Sequence, residues 1–347
     1  MPTRTFIPAR MTTTNNLNHR AAAHAIARWF RRAQRPLPWR EPGTSAWGVL
    51  LSEVMAQQTP VARVAPEWQA WIQRWPTPTD LAEASQSEVL VAWGRLGYPR
   101  RALNLWRAAA AIRDEHGGEV PDTVEALESL PGVGSYTARA VLVFAYNQHH
   151  PVVDTNVRRV LARLVDGLAQ PLPPRSTADM RAMDAFLPEH PESIDVNKGV
   201  MELGAIVCTA RAPRCGDCPV SAHCAWLAAG SPDNAVHVKK PQAKFDGSDR
   251  QMRGAILAVL RAAQTGVSAV DADTADADSA GVSAVDADTA DADSAGVQAC
   301  LSVEQIRDRC GLPLGSPRAL AQFDRALESL LDDALVSPGV QAGTFCL

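Results

Sequence analysis

Two carboxylates in apolar surroundings are candidates for acid–base chemistry, and the first is Glu53. It lies in the segment AWGVLLSEVMAQQT, which is almost entirely apolar around it. Because burial disfavours the charged form of a carboxyl group, the pKa of Glu53 should be raised, so that it could act as a general acid. The alternative is a solvated residue on an amphipathic helix, but the neighbouring side chains leave little polar face for it.

The second carboxylate is Asp154, which follows the apolar run PVV and precedes a predicted helix at 157–164. It is well placed to cap that helix, and amide hydrogen bonds would then hold it ionised. A plain N-cap is the alternative. Two carboxylates with oppositely shifted pKa values suit hydrolysis through an oxocarbenium-like transition state, in which one protonates the leaving group and the other stabilises the cation or bonds to it.

Four cysteines fall within 17 residues with the spacing C-x6-C-x2-C-x5-C, namely Cys208, Cys215, Cys218 and Cys224. Thiolates are soft ligands, so four of them suit an iron–sulfur cluster or tetrahedral zinc. A zinc ribbon usually pairs two C-x2-C knuckles, and this segment has one. The spacing therefore favours iron–sulfur over zinc, with four unrelated thiols as the remaining alternative. The chain has seven cysteines, an odd number, so a secreted disulfide framework is not expected.

A glycine-containing segment, LPGVG at 130–134, separates two predicted amphipathic helices. Glycines allow a tight turn and a close approach of the backbone to a partner. The amides around Gly132, Val133 and Gly134, together with the N-terminus of the next helix, would suit a phosphate group. An ordinary helix-to-helix turn is the alternative. This arrangement is typical of the helix-hairpin-helix motif of sequence-independent DNA binders.

Helical periodicity dominates the first 230 residues, and the alternating pattern of strands is nearly absent there. The sequence therefore predicts an all-α domain of enzyme size. The predicted helices lie at 24–32, 46–58, 61–75, 88–96, 101–116, 123–129, 135–146, 157–164, 178–187 and 196–208.

The composition changes after residue 230. A Pro-, Asp- and Lys-rich linker is followed by a predicted helix at 250–263 and by a perfect tandem repeat, in which 266–280 recurs as 281–295. The repeat is acidic, and no Gly or Glu stands where a calcium-binding loop needs one, so it is interpreted as a disordered spacer. Helices at 303–309 and 317–332 and a hairpin through Pro338-Gly339 then suggest a winged-helix-like module that the repeat interrupts.

Charge is distributed unevenly along the 347 residues, although the net charge is only −4. Residues 1–264 carry 30 basic and 24 acidic side chains, a mild excess that a nucleic-acid binder could show, whereas 265–295 carry eight Asp and no base. No apolar stretch reaches the ~18 residues of a membrane span, and the N-terminus lacks the apolar core of a signal peptide. A soluble, cytoplasmic protein is expected.

Taken together, these features resemble the helix-hairpin-helix DNA glycosylase superfamily with a 4Fe–4S cluster, over residues 21–230. The resemblance rests on SEVMAQQT, GRLGYPRRALNL, LPGVGSYTA, VVDTNVRRVLAR, MELGAIVC and the cysteine spacing, in that order. It implies two helical subdomains with a DNA groove between them and a target base flipped into a pocket at their junction. It also implies a monomer that binds double-stranded DNA, and a cluster held by the four cysteines.

The resulting domain prediction divides the chain into six parts. A disordered N-terminus (1–20) precedes an iron–sulfur helical subdomain (21–44 and 155–230) and a helical barrel with the helix-hairpin-helix (45–154). A linker (231–247), the winged-helix-like module (248–264 and 298–347) and the disordered acidic repeat (265–297) complete the chain.

Within the superfamily, the residues resemble the A/G-specific adenine DNA glycosylases, which excise adenine mispaired with guanine or 8-oxoguanine. The bifunctional thymine-glycol-type lyases carry a Schiff-base lysine in the helix after the hairpin, and that position here is Tyr136. The chain has four lysines, none before Lys198. The adenine branch also agrees with the LPWR segment, the Gln57-Gln58 pair, Asn156 and Glu202.

The resemblance implies a role for each residue. Glu53 would protonate the five-membered ring of adenine and later activate water, Asp154 would stabilise or trap the sugar cation, Asn156 would position the reacting groups, and Tyr136 would form the pocket wall. Gln58 and Tyr98 would wedge into the duplex. Outside the family, Gln58 would be interpreted as a polar residue at a helix C-terminus and Tyr98 as a core aromatic. Trp39 would be interpreted as core packing and Glu202 as part of a solvated helix face. The implied substrate-binding residues are Leu37, Trp39, Arg40, Gln57, Gln58, Val61, Tyr98 and Glu202.

Several departures from the family pattern stand out. Ala56 replaces a larger aliphatic residue, Pro99 replaces a second tyrosine, and Thr155 makes the motif D-T-N. The family commonly carries a Nudix-like domain with a Phe-Ser-His loop that reads 8-oxoguanine, and Phe-Ser-His does not occur in this sequence. Weaker discrimination between guanine and 8-oxoguanine is therefore expected. The alternative functions are a bifunctional glycosylase/lyase and a non-catalytic iron–sulfur DNA-binding protein.

Overall fold

The computed structural model describes residues 13–234, 244–266 and 299–347. Within these ranges the protein is built from fifteen α-helices and one small antiparallel sheet, so the predicted all-α class is confirmed. None of the helices in these ranges is long and apolar enough to cross a membrane.

The ten predicted helices before residue 230 all occur in the predicted order, and apart from the earlier start of α1 their ends shift by at most four residues. Two short helices, α4 and α12, were not predicted. The helix-hairpin-helix consists of α7 and α8, and the tight turn between them spans residues 130–134. The helix bounds are α1 Thr13–Ala33, α2 Ala46–Met55, α3 Val61–Arg74, α4 Pro78–Glu83, α5 Gln86–Ala92, α6 Arg100–Glu115, α7 Val124–Ser129, α8 Ser135–Phe144, α9 Thr155–Leu164, α10 Ser176–Phe186, α11 Glu192–Ile206 and α12 Ala225–Ala228.

The chain divides into two compact units, one of 1–57 and 119–240 and the other of 58–118 and 241–347. In the first unit, α11 packs against α1, α9 and α8, and α8 also packs against α2. This division differs from the predicted bounds, which grouped 45–154 as one subdomain. The physical reason is that α2 and the hairpin helix α8 bury their apolar faces with the helices of the predicted iron–sulfur subdomain, which sequence periodicity cannot reveal.

The N-terminal helix begins earlier than predicted. Residues 13–20 were expected to be disordered, but α1 starts at Thr13. The Asn18 side chain bonds the Nδ1 atom and the backbone carbonyl of His223, at 2.5 and 3.4 Å, and His19 is buried next to the Phe186 ring. These polar residues are therefore ordered by contacts distant in sequence. Residues 1–12 lie outside the described part of the chain.

Tryptophans at the C-terminal ends of α3 and α5 form part of the core of the second unit. The Trp71 ring packs edge-on against Trp75 and Trp93, with centroids 4.8 and 5.5 Å apart, and its indole donates to the Ala92 carbonyl. Helix α4, of six residues, has no counterpart among the predicted helices. Its signal was a capping box, in which the Thr77 hydroxyl and the Asp80 carboxylate bond each other's backbone amides.

The C-terminal module also belongs to the second unit. It contains α13 (Asp249–Thr265), α14 (Val303–Arg309) and α15 (Pro317–Asp332). Strands β1 (Leu301–Ser302), β2 (Ser337–Pro338) and β3 (Thr344–Cys346) form an antiparallel sheet of order β1-β3-β2, one strand more than the predicted hairpin. A Cys300–Cys346 disulfide joins β3 to the residue before β1.

Two contacts fix this module in the second unit. The Arg261 guanidinium donates to the Leu90 carbonyl at 2.9 Å, and the Gln86 amide donates to the Ala334 carbonyl at 2.8 Å. A further pair joins α13 to the start of the last segment, because the Gln264 side chain bonds both the amide and the carbonyl of Ala299. Almost all of the predicted acidic repeat, and residues 235–243 of the predicted linker, lie outside the described residues.

Candidate active site

Glu53 is carried by α2, a helix that is buried on most sides. Ser45 caps the helix by accepting a hydrogen bond from the Gly48 amide, and eight of the ten helical residues are buried. Glu53 itself is half-buried. Its Oε2 atom accepts a hydrogen bond of 2.9 Å from the Tyr136 hydroxyl. The carboxyl group is thus held within an apolar wall while it stays partly accessible.

The electrostatics of Glu53 favour a proton donor near neutral pH. Burial raises its pKa from the usual 4.5 to about 7, although the Tyr136 hydroxyl and the Arg40 guanidinium act in the opposite direction. The negative charge of Asp154 adds to the increase. The predicted rise is therefore found in the structure, for the predicted reason. The effect of Asp154 also places the two carboxylates within electrostatic reach of each other.

Asp154 is the N-cap of α9, as predicted. One carboxylate oxygen accepts from the Val157 amide at 2.7 Å, and the other accepts from the Asn156 amide nitrogen at 2.8 Å. The predicted direction of its pKa shift was wrong. Burial raises the pKa of Asp154 above its usual value, and the cap hydrogen bonds offset this only in part. The two carboxylates are consequently both shifted upward, because both lie in poorly hydrated surroundings.

The helix-hairpin-helix turn positions Tyr136. Gly132 adopts the left-handed region (φ 79°), and both Gly132 and Gly134 are exposed at the turn. Val133 differs, because its side chain is buried and its amide donates to the Leu130 carbonyl at 3.1 Å. Helix α8 begins at Ser135, directly after the turn, so Tyr136 lies in its first turn. The loop predicted to contact phosphate therefore also delivers the hydroxyl that bonds Glu53.

Glu202 holds the LPWR segment in place. Its side chain is fully buried and accepts bidentate hydrogen bonds from Arg35 at 2.8 and 2.9 Å and a further bond from Arg40 at 3.0 Å. Burial alone would raise its pKa, but the two guanidinium groups outweigh burial and lower it to about 2. The alternative of a solvated helix face is therefore wrong. Arg40 is fixed where its charge acts on both Glu202 and Glu53.

Arg159 and Gly204 support Asp154 and were missed by the sequence analysis. The Nη2 atom of Arg159 donates to Asn156 Oδ1 at 2.7 Å and to the Gly204 carbonyl at 2.8 Å, while its Nε donates to the Cys208 carbonyl at 2.9 Å. Asn156 in turn holds Asp154. The available signal was the spacing of Asn156 and Arg159, which places them on one face of a helix.

Replacing Gly204 with Ala should have a larger effect on the rate of turnover than on the free energy of unfolding. A Cβ at this position would lie 2.7 Å from the Asn156 Cβ and 3.1 Å from its carbonyl oxygen, so the start of α9 must move. Because misplacement of about 1 Å can cost about 100-fold in rate, we expect a loss of about 10- to 100-fold in single-turnover excision.

Two alanine substitutions are controls for this prediction. Gly254 lies within α13 with open space where a Cβ would sit, so Gly254→Ala should leave turnover unchanged. Gly199 lies on α11, as Gly204 does, and Gly199→Ala places a Cβ 2.6 Å from the Ile26 side chain of α1. This variant therefore tests a packing clash on α11 that does not involve Asn156. Equal loss of turnover in Gly199→Ala and Gly204→Ala, at equal loss of stability, would contradict a specific effect on Asn156.

The four predicted cysteine ligands line one cavity, together with Arg163 and Trp226. Arg163 is 3% exposed, and its Nη1 donates to Cys208 Sγ at 3.4 Å. A buried cation at a cysteine sulfur fits ligands that are thiolates. Four cysteine side chains around one cavity are the usual ligand set of an iron–sulfur cluster, so the residues present fit that group.

The remaining predicted substrate-binding residues fall in both units. In the first unit, Leu37 is buried, Trp39 is half-buried and Gln57 donates to the Thr137 hydroxyl at 3.4 Å. Gln58, Val61 and Tyr98 belong to the second unit. There, Gln58 and Tyr98 are exposed and Val61 is half-buried at the start of α3.

A family model that matches this chain describes proteins of base excision DNA repair. Residues 51–180 match the HhH-GPD superfamily of base excision DNA repair proteins, and residues 208–224 match the iron–sulfur binding domain of endonuclease III. The predicted cluster cofactor is thereby confirmed. The chain is 47% identical over 322 residues to an adenine DNA glycosylase of Mycobacterium tuberculosis, covering 92% of this chain and 91% of that protein.

Two further relatives and two solved structures show the breadth of the likeness. The adenine DNA glycosylase of Mycolicibacterium smegmatis is 52% identical over 71% of this chain and 82% of that protein. A thymine/uracil-DNA glycosylase of Pyrobaculum aerophilum is 32% identical over 57% and 87%. A thermostable thymine-DNA glycosylase superposes with TM-score 0.57, and a trapped endonuclease III–DNA covalent intermediate with 0.55. Both are 25% identical, covering 62% and 64% of this chain and 99% and 100% of those chains.

Proposed function

Because the chain belongs to the adenine DNA glycosylase family, we propose that it hydrolyses the N-glycosidic bond of adenine mispaired with guanine or 8-oxoguanine in double-stranded DNA. The observation that carries this proposal is the pair of carboxyl groups Glu53 and Asp154. The charge of Asp154 raises the pKa of Glu53, and the Tyr136 hydroxyl bonds Glu53. A proton donor and a nearby anion are the two groups that departure of a purine requires.

The reaction would proceed in two stages. Protonated Glu53 gives its proton to the five-membered ring of adenine, the bond between the sugar and the base breaks, and its electron pair leaves with the base. Asp154 then stabilises or traps the positively charged sugar. Glu53, now ionised, accepts a proton from water as the water adds to the sugar. The Asn156 amide keeps one Asp154 oxygen in place through both stages.

Tyr136 supports hydrolysis rather than a lyase reaction. A Schiff base needs an amine, and the phenol at this position donates to Glu53 instead. One observation favours the alternative, because burial lowers the pKa of Lys198, which lies four residues before Glu202 on α11. Borohydride reduction during turnover decides between them. The proposal expects no covalent protein–DNA adduct, and an adduct lost in Lys198→Met would support a lyase.

The pocket and wedge roles are part of the proposal. Trp39 and Arg40 would contact the adenine, with Arg40 held in place by Glu202. Gln58 and Tyr98 would enter the duplex, which their exposure supports. The exposed glycines of the hairpin turn would contact backbone phosphate, where amides and a helix N-terminus suit an anion. The cluster cysteines would hold the segment 208–224 in shape.

One assay tests the proposed reaction directly. Purified protein is incubated with duplexes that each carry a single A·G, A·8-oxoguanine, thymine-glycol or uracil site, and the products are cleaved with alkali. The proposal requires strand breaks at adenine only, and only after alkali. Cleavage without alkali would indicate a lyase. No cleavage of any duplex, combined with specific binding, would indicate the non-catalytic alternative.

We predict weak discrimination between guanine and 8-oxoguanine opposite adenine. The sequence has no Phe-Ser-His, and its C-terminal part folds as a three-helix module with a small sheet. A hydrogen bond to a distinguishing base group contributes about 1–3 kcal/mol, so its loss should leave single-turnover rates on the two mispairs within about tenfold. A preference for the oxidised base of about 100-fold or more would contradict the prediction. We further propose a cytoplasmic monomer that associates with the nucleoid, which gel filtration and localisation would test.

A further inference from the structure

Two residues of the second unit have an unusual backbone conformation. Gln58 and Tyr98 both lie in the left-handed region, with φ of 57° and 48°. This region is uncommon for residues other than glycine, and it persists only where the surroundings determine it. Both residues are exposed, with Tyr98 at 45%, so their own side chains are not fixed by burial. The determining contacts must come from their neighbours.

The neighbours are joined by one hydroxyl and one guanidinium group. Thr59, which follows Gln58, is buried, and its hydroxyl donates to the Leu96 carbonyl at 3.0 Å. The Nη2 atom of Arg101 donates to the Thr59 hydroxyl and the Leu96 carbonyl, both at 3.0 Å, and to the Gly97 carbonyl at 2.9 Å. The segment that contains Gln58 is thus tied to the segment that contains Tyr98.

Two aromatic rings complete this tie. The Arg101 guanidinium lies 5.1 Å from the centroid of the buried Trp93 ring and 5.7 Å from that of Tyr98. The Trp93 indole also donates to the Gly97 carbonyl at 2.9 Å. Burial lowers the pKa of Arg101 to about 10, so the group still carries its charge at neutral pH. Moving a cation out of water costs free energy, and the hydrogen bonds from Nη2 to the two loops offset part of that cost.

We propose that Arg101 and Thr59 are positioning residues that hold Gln58 and Tyr98 ready to enter the duplex as adenine leaves the base stack. The inference rests on the proposed function. Unstacking a base costs a few kcal/mol, so a wedge must keep its shape against the closing duplex. Gln58 and Tyr98 lie on short loops, so their conformation in the duplex depends on contacts between these loops and well-ordered neighbouring residues. The shared Thr59–Arg101–Leu96 contacts brace both loops at once.

Substitutions at Thr59 give a matched test. Thr59→Val removes the hydroxyl at nearly constant shape, and Thr59→Ser keeps it. Arg101→Met removes the guanidinium, and Arg107→Met removes an equal charge from an exposed position on the same helix, α6. Each variant is checked by circular dichroism and thermal unfolding. Three quantities are then measured on an A·G duplex, namely the dissociation constant, the single-turnover rate and the fluorescence of 2-aminopurine placed beside the adenine, which rises when the stack opens.

We expect Thr59→Val and Arg101→Met to bind the duplex within about threefold of wild type, but to lose most of the fluorescence rise and about tenfold or more of the rate. Thr59→Ser and Arg107→Met should match wild type. The inference is overturned if the folded Thr59→Val and Arg101→Met variants show the wild-type fluorescence rise, or if Thr59→Ser is as defective as Thr59→Val. Failure of the proposed function looks different, because wild-type protein itself would then not excise adenine.

Discussion

Replacing Glu53 with Gln should abolish adenine excision while leaving binding to the mispaired duplex intact. Gln keeps the shape and can still accept the Tyr136 hydrogen bond, but it has no proton to give to the base. General acid catalysis contributes about 10²- to 10⁴-fold, and Glu53 would act in both stages of the reaction. We therefore expect the single-turnover rate to fall by about 10³-fold or more, with a dissociation constant within about threefold of wild type.

The pH dependence of wild type provides a second readout of the same group. Because Glu53 must be protonated to donate and its pKa is about 7, the rate should fall tenfold per pH unit well above pH 7. At low pH the rate should also fall, because protonation removes the anion of Asp154, whose raised pKa brings this limb closer to neutrality. The two groups interact, so the limbs report the pair rather than either residue alone. A rate independent of pH between 6 and 9 would contradict this role for Glu53.

Near neutral pH, the Glu53→Gln substitution should lower activity, whereas its effect on the free energy of unfolding should be more favourable than at low pH. A carboxyl group whose pKa is raised from 4.5 to about 7 on folding stabilises the protein fully below pH 4.5, and this contribution is lost as the pH rises through 7. The shift corresponds to at most about 3 kcal/mol, reduced by the partial exposure of Glu53. The unfolding free energy of Glu53→Gln relative to wild type should therefore increase between pH 4.5 and 7.5. No change in this difference would show that burial does not perturb Glu53.

Replacing Asp154 with Asn should give the second-largest effect. Asn is as good an N-cap as Asp, so it can still accept from the Val157 amide, and α9 should keep its start. What is lost is the negative charge beside the developing cation. Removing such electrostatic stabilisation typically costs about 10²- to 10³-fold, and we expect that loss in the single-turnover rate.

The control for Asp154→Asn is a cap at another helix. Ser248 caps α13 by accepting from the Gln251 amide, so Ser248→Ala should cost about 1 kcal/mol of stability and no activity. Asp154→Asn should show the reverse, with near wild-type thermal unfolding and a large rate defect. An Asp154→Asn variant that retained more than a tenth of the wild-type rate would mean that Asp154 is only a cap.

Local features made much of this protein predictable from its sequence. The apolar run around Glu53 indicated its raised pKa, and the cysteine spacing indicated the iron–sulfur site, because both depend on neighbours within a few residues. The N-cap position of Asp154 followed from the same kind of local pattern. The direction of its pKa shift did not, because desolvation comes from helices that pack against α9 from elsewhere in the chain.

The remaining errors have a common physical origin. Glu202 could not be recognised as a buried anion, because its partners Arg35 and Arg40 lie more than 160 residues away. The contacts of Arg101 with the loops that carry Gln58 and Tyr98 could not be predicted either. Gln58 and Tyr98 have positive φ angles, which their residue types do not indicate. The early start of α1 depends in the same way on the distant contact between Asn18 and His223.

The two hydrogen bonds between Gln264 and Ala299 bear on how the number of repeat units can change during evolution. Because its side chain bonds both backbone groups of Ala299, the chain leaves the C-terminal module and re-enters it at almost the same point. The ends of the intervening segment therefore lie close together whatever its length, and the entropic cost of closing a loop grows only with the logarithm of that length, at about 0.6 kcal/mol per doubling. Copies of the fifteen-residue unit could thus be gained or lost by slippage during replication with little penalty to folding. The same junction is a natural place to graft a foreign peptide.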